Sequence, residues 1–266
     1  MDSSLKFLSF GVCVLCSALL AGCGTGSDGG GMDSAGSGGS SAGTGGSSST
    51  TGGTSAGGGT AALTRLYGFD IDTESFELNK TPSTDPMYQN LGDPAVSKDN
   101  PPMAAWTGSR DFDPGATNKG CLMLTATFTG WNQSISVEVA GPVDKNGMPI
   151  DLTKKTLRAQ VYLDKGLSPF TTTDAPGGVV FFIKSGTTYA WGQAPWTNLD
   201  GYGSWKSVKF NTDNPDPGSS ADWDPSNPVQ LGFQISSGGG NMHTAAEFGP
   251  PLDTVVCIDN ITVQDN

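Results

Sequence analysis

Beyond residue 62 the chain alternates between apolar and polar positions. In Thr156–Leu163 (TLRAQVYL), Leu157, Ala159, Val161 and Leu163 point one way, and Arg158, Gln160 and Tyr162 point the other. Val229–Ser236 repeats the pattern, with Leu231, Phe233 and Ile235 set against Gly232, Gln234 and Ser236. Gly120–Phe128 and Ser134–Val139 alternate in the same way. A strand-like run at Gly178–Lys184 turns at Ser185-Gly186 into a second at Thr187–Trp191, and a third follows at Ser204–Phe210. Leu66–Asp72 reads as the first strand, Ser75–Leu78 as a short one and Val255–Val263 as the last. No stretch after the amino-terminal segment carries a helical period. About nine or ten strands separated by turns predict an all-β fold, an antiparallel β-sandwich.

The first 61 residues follow another pattern. Phe7–Leu20 is an apolar run behind Lys6, too short to span a bilayer comfortably. It ends in Leu20-Ala21-Gly22-Cys23, which resembles the bacterial lipobox. That resemblance implies a lipoprotein signal peptide over residues 1–22 and acyl chains (palmitate among them) on Cys23, holding the protein at a membrane without a spanning helix. In the Gram-negative sorting pattern that this resemblance implies, Gly24 rather than Asp after the cysteine favours the outer membrane of the cell envelope. Residues 23–61 are almost wholly Gly, Ser, Thr and Ala and read as a flexible linker with an end-to-end distance of roughly 30–37 Å. Residues 62–266 are left as one folded domain, expected to act as a monomer.

Charge removes some functions. The formal net charge is −12 and the sequence pI is near 4.3, so the chain gains no attraction to phosphate backbones, and nucleic acid is excluded as a partner. Catalytic chemistry has little to build on. The one histidine, His243, lies in a Gly-rich loop, and the glutamates are Glu74, Glu77, Glu138 and Glu247. A jelly-roll glycosidase needs two carboxylates across a cleft, and no partner motif surrounds Glu138. No nucleophile elbow, phosphate loop or zinc signature is present. No catalytic residue is assigned.

Aromatic residues give the positive signal. Tyr189, Trp191, Trp196, Tyr202 and Trp205 crowd one stretch of a chain that is only 9% aromatic. Gly, Pro, Asn and Asp separate them. Flat π surfaces in a wet, turn-rich setting suit the apolar faces of sugar rings. Strand parity adds that Arg158, Gln160 and Tyr162 share a face that is not core. The expected binding face therefore carries Arg158, Gln160, Tyr162 and Gln234, with Tyr189, Trp191 and Trp196 as rim or platform. Trp205 is expected in the core, which its parity allows only with a bulge.

Several passages resemble the non-catalytic jelly-roll carbohydrate-binding modules of bacterial glucanases and mannanases, in the galactose-binding-like group. These are Phe69-Asp70-Ile71-Asp72, Gly120-Cys121-Leu122, Tyr189-Ala190-Trp191 with Gly203–Val208, Val229–Ile235 and Ile258-Asp259-Asn260-Ile261. The resemblance covers most of Leu66–Val263. The long Thr73–Met103 region departs from it and lacks the Trp usual after the first strand. The resemblance implies a ligand on the concave sheet, a polysaccharide of β-glucan, mannan or xylan type. It also implies a structural Ca²⁺ at Asp70, Asp72 and Asp259, and strands that bring Cys121 and Cys257 close enough to bridge in an exported protein. An adhesion or protein-binding sandwich, and a jelly-roll glycoside hydrolase or lyase, are the alternative functions on the same fold.

Overall fold

A computed structural model describes residues 63–112, 119–143, 148–167, 177–199, 201–239 and 248–266. The signal and linker, His243 and Glu247 lie outside these residues. The described strands form two facing sheets.

The first sheet holds β1 (Thr64–Tyr67), β4 (Met103–Thr107), β5 (Cys121–Phe128), β7 (Lys155–Lys165), β11 (Trp205–Asn211) and β13 (Leu252–Asp265). Its order is β11-β7-β13-β5-β4, with β1 added to β13. The second holds β2 (Glu77–Leu78), β3 (Gln89–Asn90), β6 (Gln133–Ala140), β8 (Gly178–Ser185), β9 (Ala190–Gln193), β10 (Thr197–Asn198) and β12 (Pro228–Ser236). Its order is β10-β8-β12-β6-β2, with β9 also on β8 and β3 also on β6. All pairings are antiparallel except β3 with β6.

The core lies where the alternation puts it. Leu157, Ala159, Val161 and Leu163 of β7 are fully buried, as are Leu231, Phe233 and Ile235 of β12. Phe181 stacks on Phe233 within its own sheet at 4.6 Å and reaches Phe210 of the other sheet at 6.3 Å. Each such ring contributes roughly 1.5–3 kcal/mol by leaving water. Cys121 and Cys257 form the expected disulfide, with Cα atoms 5.6 Å apart, joining β5 to β13.

The differences from the sequence pattern have local causes. The first strand stops at Tyr67, not Asp72, because Phe69 turns the backbone to a φ of 49° and Asp70 folds back onto Arg65. The strand expected at Thr187–Trp191 starts only at Ala190, because positive φ at Gly186 and Tyr189 lengthens the turn. β3 and β10, at two residues each, are too short to show a period.

Candidate functional site

The outer faces of the two sheets differ in kind. On the first sheet Arg158, Gln160 and Tyr162 do share the outer face, as parity requires, but Gln234 belongs to the second sheet. The four therefore cannot form one site, because the whole core separates them. The segment 108–112 also crosses the first face. The backbone N–H of Phe112 donates to Asp259 Oδ2 at 2.9 Å, and its ring meets Trp205 edge-on at 5.8 Å. The Arg110 guanidinium lies 4.7 Å over the Tyr162 ring and pairs with Asp164. Trp205 packs on Tyr162 at 5.3 Å. It stands opposite Tyr162 in register, so it belongs to this outer face and not to the core. The Tyr162 ring is thus occupied by protein, and Arg158 Nε is buried without a hydrogen-bond partner among the described residues.

The second sheet offers an open groove. β8 is buried along almost its whole length, because both of its faces are covered. Phe181 and Ile183 face the core, so Val180 and Phe182 face outward. Gly232 makes room for Phe182: a Cβ there would lie 2.5 Å from the Phe182 ring and 2.4 Å from the Val137 carbonyl oxygen. On Phe182 lies Trp191, its ring centroid 4.1 Å away and its plane tilted by 20°. The indole N–H of Trp191 donates to Gln193 Oε1 at 2.6 Å, and Gln193 Nε2 donates to Asp216 Oδ1 at 3.1 Å. A ring stacked beneath and tied at its N–H is set in place before any ligand arrives. Trp196 is 44% exposed and leans over Gly178, where a Cβ would touch it at 3.5 Å.

The floor beside these rings is polar and uncharged. Gln234 Nε2 donates to Ser134 Oγ at 3.2 Å, and Ser136 and Ser236 complete the row. The opposite wall comes from the long segment after β2. Asn79 N–H donates to the Ser136 carbonyl at 2.9 Å, and Gln89 N–H to that of Asn132 at 2.9 Å. Asn90 Nδ2 bonds the carbonyls of Asn79 and Thr81 at 2.9 and 2.8 Å, folding the wall into shape. Tyr88, 48% exposed, stands on that wall. Together these residues enclose a hollow of about 400 Å³ with no Asp, Glu, Lys or Arg in its lining. The first charges beyond Phe182 are Lys184 and Glu138, paired at 2.6 Å, with Glu77 opposite Glu138. Glu138 is thus held in an ion pair.

Of the expected ligand residues, Trp191, Trp196 and Gln234 come together in this groove. Tyr189 does not join them: it is 56% exposed at the tip of the β8–β9 turn. Tyr88, Phe182, Asn79, Asn90 and the floor serines were not singled out by the sequence. Phe182 left a signal in the unbroken apolar run of β8, which marks a strand covered on both faces. Tyr88 left the same signal as Trp196, an aromatic among turn residues.

The expected calcium ligands do not fit a metal. Asp70 is spanned by Arg65 at 2.9 and 3.0 Å. Asp72 accepts from the Glu74 N–H at 2.7 Å. Asp259 accepts from the N–H groups of Phe112 and Asn260 at 2.9 and 2.6 Å. Burial above all, and Asp111 beside it, push the Asp259 carboxyl up to about 6. Among the described residues no group of three acidic, His or Cys side chains could hold an ion.

No family model and no curated protein matches the chain. Solved structures do resemble it, and most are carbohydrate-binding modules. An exo-β-agarase is 12% identical with a TM-score of 0.42, over 76% of this chain and 25% of that one. This chain thus spans about a quarter of the agarase. A family 30 carbohydrate-binding module is 10% identical with a TM-score of 0.42, over 78% of this chain and 89% of that one. The CBM22-1 xylan-binding domain from Paenibacillus barcinonensis Xyn10C is 9% identical with a TM-score of 0.38, over 77% and 97%.

Proposed function

We propose that this chain is a surface-tethered, non-catalytic polysaccharide-binding lipoprotein, and that the polysaccharide lies in the groove on the second sheet. The observation that carries this is the groove's make-up: a pre-set Trp191 beside a floor and wall of amides and hydroxyls, with no charge between them. Sugar rings offer an apolar face to the indole and a rim of hydroxyls to Gln234, Ser136, Asn79 and Asn90. An uncharged lining suits a neutral glycan, of β-glucan, mannan or xylan type. Affinity is micromolar to millimolar, because a shallow polar groove with few stacking anchors leaves a small free-energy surplus. The lipobox supports an anchor at Cys23 in the outer membrane.

Calorimetry against the three polymer types tests the reading. Trp191→Ala should lose about 1–3 kcal/mol of binding while melting within a few degrees of the native chain. Tyr162→Ala, on the opposite sheet, should bind as the native chain does. Full affinity in the Trp191 variant would end the assignment of the site, and loss in the Tyr162 variant alone would move it to the first sheet.

A further inference from the structure

The groove does not end at its first hollow. A second hollow, of about 480 Å³, adjoins it along the strands. The first lies above Phe182 and Gln234, the second above Gly178, Gly238 and Gly239. Three residues line both: Tyr88, Trp196 and Ser236. These three mark the boundary between the hollows.

The two aromatics reach that boundary from opposite edges of the sheet. Trp196 immediately precedes β10, and Tyr88 immediately precedes β3. Between them run β8, β12 and β6, with Ser236 of β12 on the floor. Strand spacing puts the two edge backbones about 19 Å apart, a span that two ring side chains leaning inward narrow greatly. Both rings are close to half exposed, so neither is consumed by the core. Tyr88 is held by its own backbone turn, its N–H donating to the Asp85 carbonyl at 3.1 Å, and by β3 on β6.

Resting on the proposed function, we infer that Tyr88 and Trp196 form a waist that selects unbranched stretches of a polysaccharide long enough to occupy both hollows. A glycan bound along the groove threads between the rings. A sugar carrying a side branch at that point meets Tyr88 or Trp196, and a short oligosaccharide fills one hollow only. The Thr73–Met103 region, which departs from the resembling modules, thereby acquires a role: it carries one jaw of the waist.

The test uses the full chain purified in detergent and titrated calorimetrically. The ligands are a ladder of linear oligosaccharides, from the disaccharide upward, of whichever backbone binds, and the densely branched polymer of that same backbone. Affinity should climb with length until both hollows are filled and then level off. The branched polymer should bind about tenfold or more weakly, the low end of what steric exclusion in a pocket gives. Tyr88→Ala should weaken the linear ligand yet bring the linear-to-branched ratio close to one, whereas Trp191→Ala should weaken both alike. Equal affinity for disaccharide and long oligosaccharide, or a ratio that Tyr88→Ala leaves unchanged, overturns the waist while the groove still binds. A chain that binds none of these ligands removes the proposed function and the waist together.

Discussion

Gly232 fixes where the groove can be. Phe182 crosses the sheet at that position, and Trp191 lies on Phe182, so the Trp191 ring rests on a stack that begins at a missing side chain. A Cβ at residue 232 would also meet the Glu138 Cβ at 3.0 Å and, more closely, the Val137 carbonyl oxygen, which is backbone and cannot swing aside. Gly232→Val should therefore lower stability by about 1–3 kcal/mol, as overpacking does, and displace the Trp191 platform. Gln193→Ala separates the two effects: it removes the acceptor for the Trp191 indole N–H without crowding the sheet. That variant should keep its melting temperature within a few degrees and bind glycan more weakly. Native affinity in Gln193→Ala would mean that the indole tie does not set the ring. At this scale the sequence was partly readable. Trp191, Trp196 and Gln234 stand out by type and parity. Gly232 reads only as an outward-facing position, because nothing in its neighbours tells which ring will cross it from another strand.

Strand parity sorted inward from outward residues correctly along β7 and β12, and it said nothing of which sheet each strand joins. Arg158, Gln160, Tyr162 and Gln234 all face outward, yet they lie on opposite sides of the molecule. Pairing between strands distant in sequence settles that, and alternation within a strand does not encode it. The same limit hid the segment over the first sheet, where the Asp259 carboxyl is raised from 3.8 to about 6. The sign follows from proton counting. Between those values the native state holds a proton that the unfolded chain has released, so this group's contribution to stability is full below about 3.8 and is lost as pH rises towards 6. Asp259→Asn should flatten the melting profile over that window. If the profiles of the native chain and the Asp259→Asn variant run parallel from about pH 4 to 6, the carboxyl is not the group that titrates there. The melts are best run both in chelator and in added calcium. The donor set around Asp70, Asp72 and Asp259 predicts superimposable curves, and a rise of several degrees with calcium would restore a metal to this cluster. The disulfide belongs to the same scale. It closes a loop of 136 residues between β5 and β13, so a Cys121→Ala, Cys257→Ala chain should lose about 4–5 kcal/mol in the chain-entropy model, measured by denaturant unfolding. A loss below about 1 kcal/mol, far under the chain-entropy value, would show that the sheets hold this register unaided.

For the whole molecule, the acidic surface and the uncharged groove work at different ranges. A net charge of −12 repels polyanions at a distance, and salt screens that repulsion beyond about 10 Å at roughly 0.1 M. Contacts to a neutral glycan inside the groove involve no charge, so affinity for such a glycan should not change between low and high salt. A steep salt dependence would mean that a charged ligand, or a charged surface elsewhere, carries binding. The weak single-site affinity of the proposed function gives the proposed tether a purpose. The proposed anchor at Cys23 would let several copies engage one polymer together, and every further contact on the same polymer would become intramolecular. Cells displaying the anchored chain should hold the polymer far more tightly than the soluble protein does, with no change in the groove. Cys23→Ser tests both parts. It should abolish palmitate labelling and move the chain out of the membrane fraction. Calorimetric affinity for an oligosaccharide should stay native, while retention of polymer on the cell surface falls. If the variant stays lipid-labelled and membrane-bound, Cys23 is not the anchor. If it leaves the membrane but cells retain the polymer as before, the tethered groove is not what captures it.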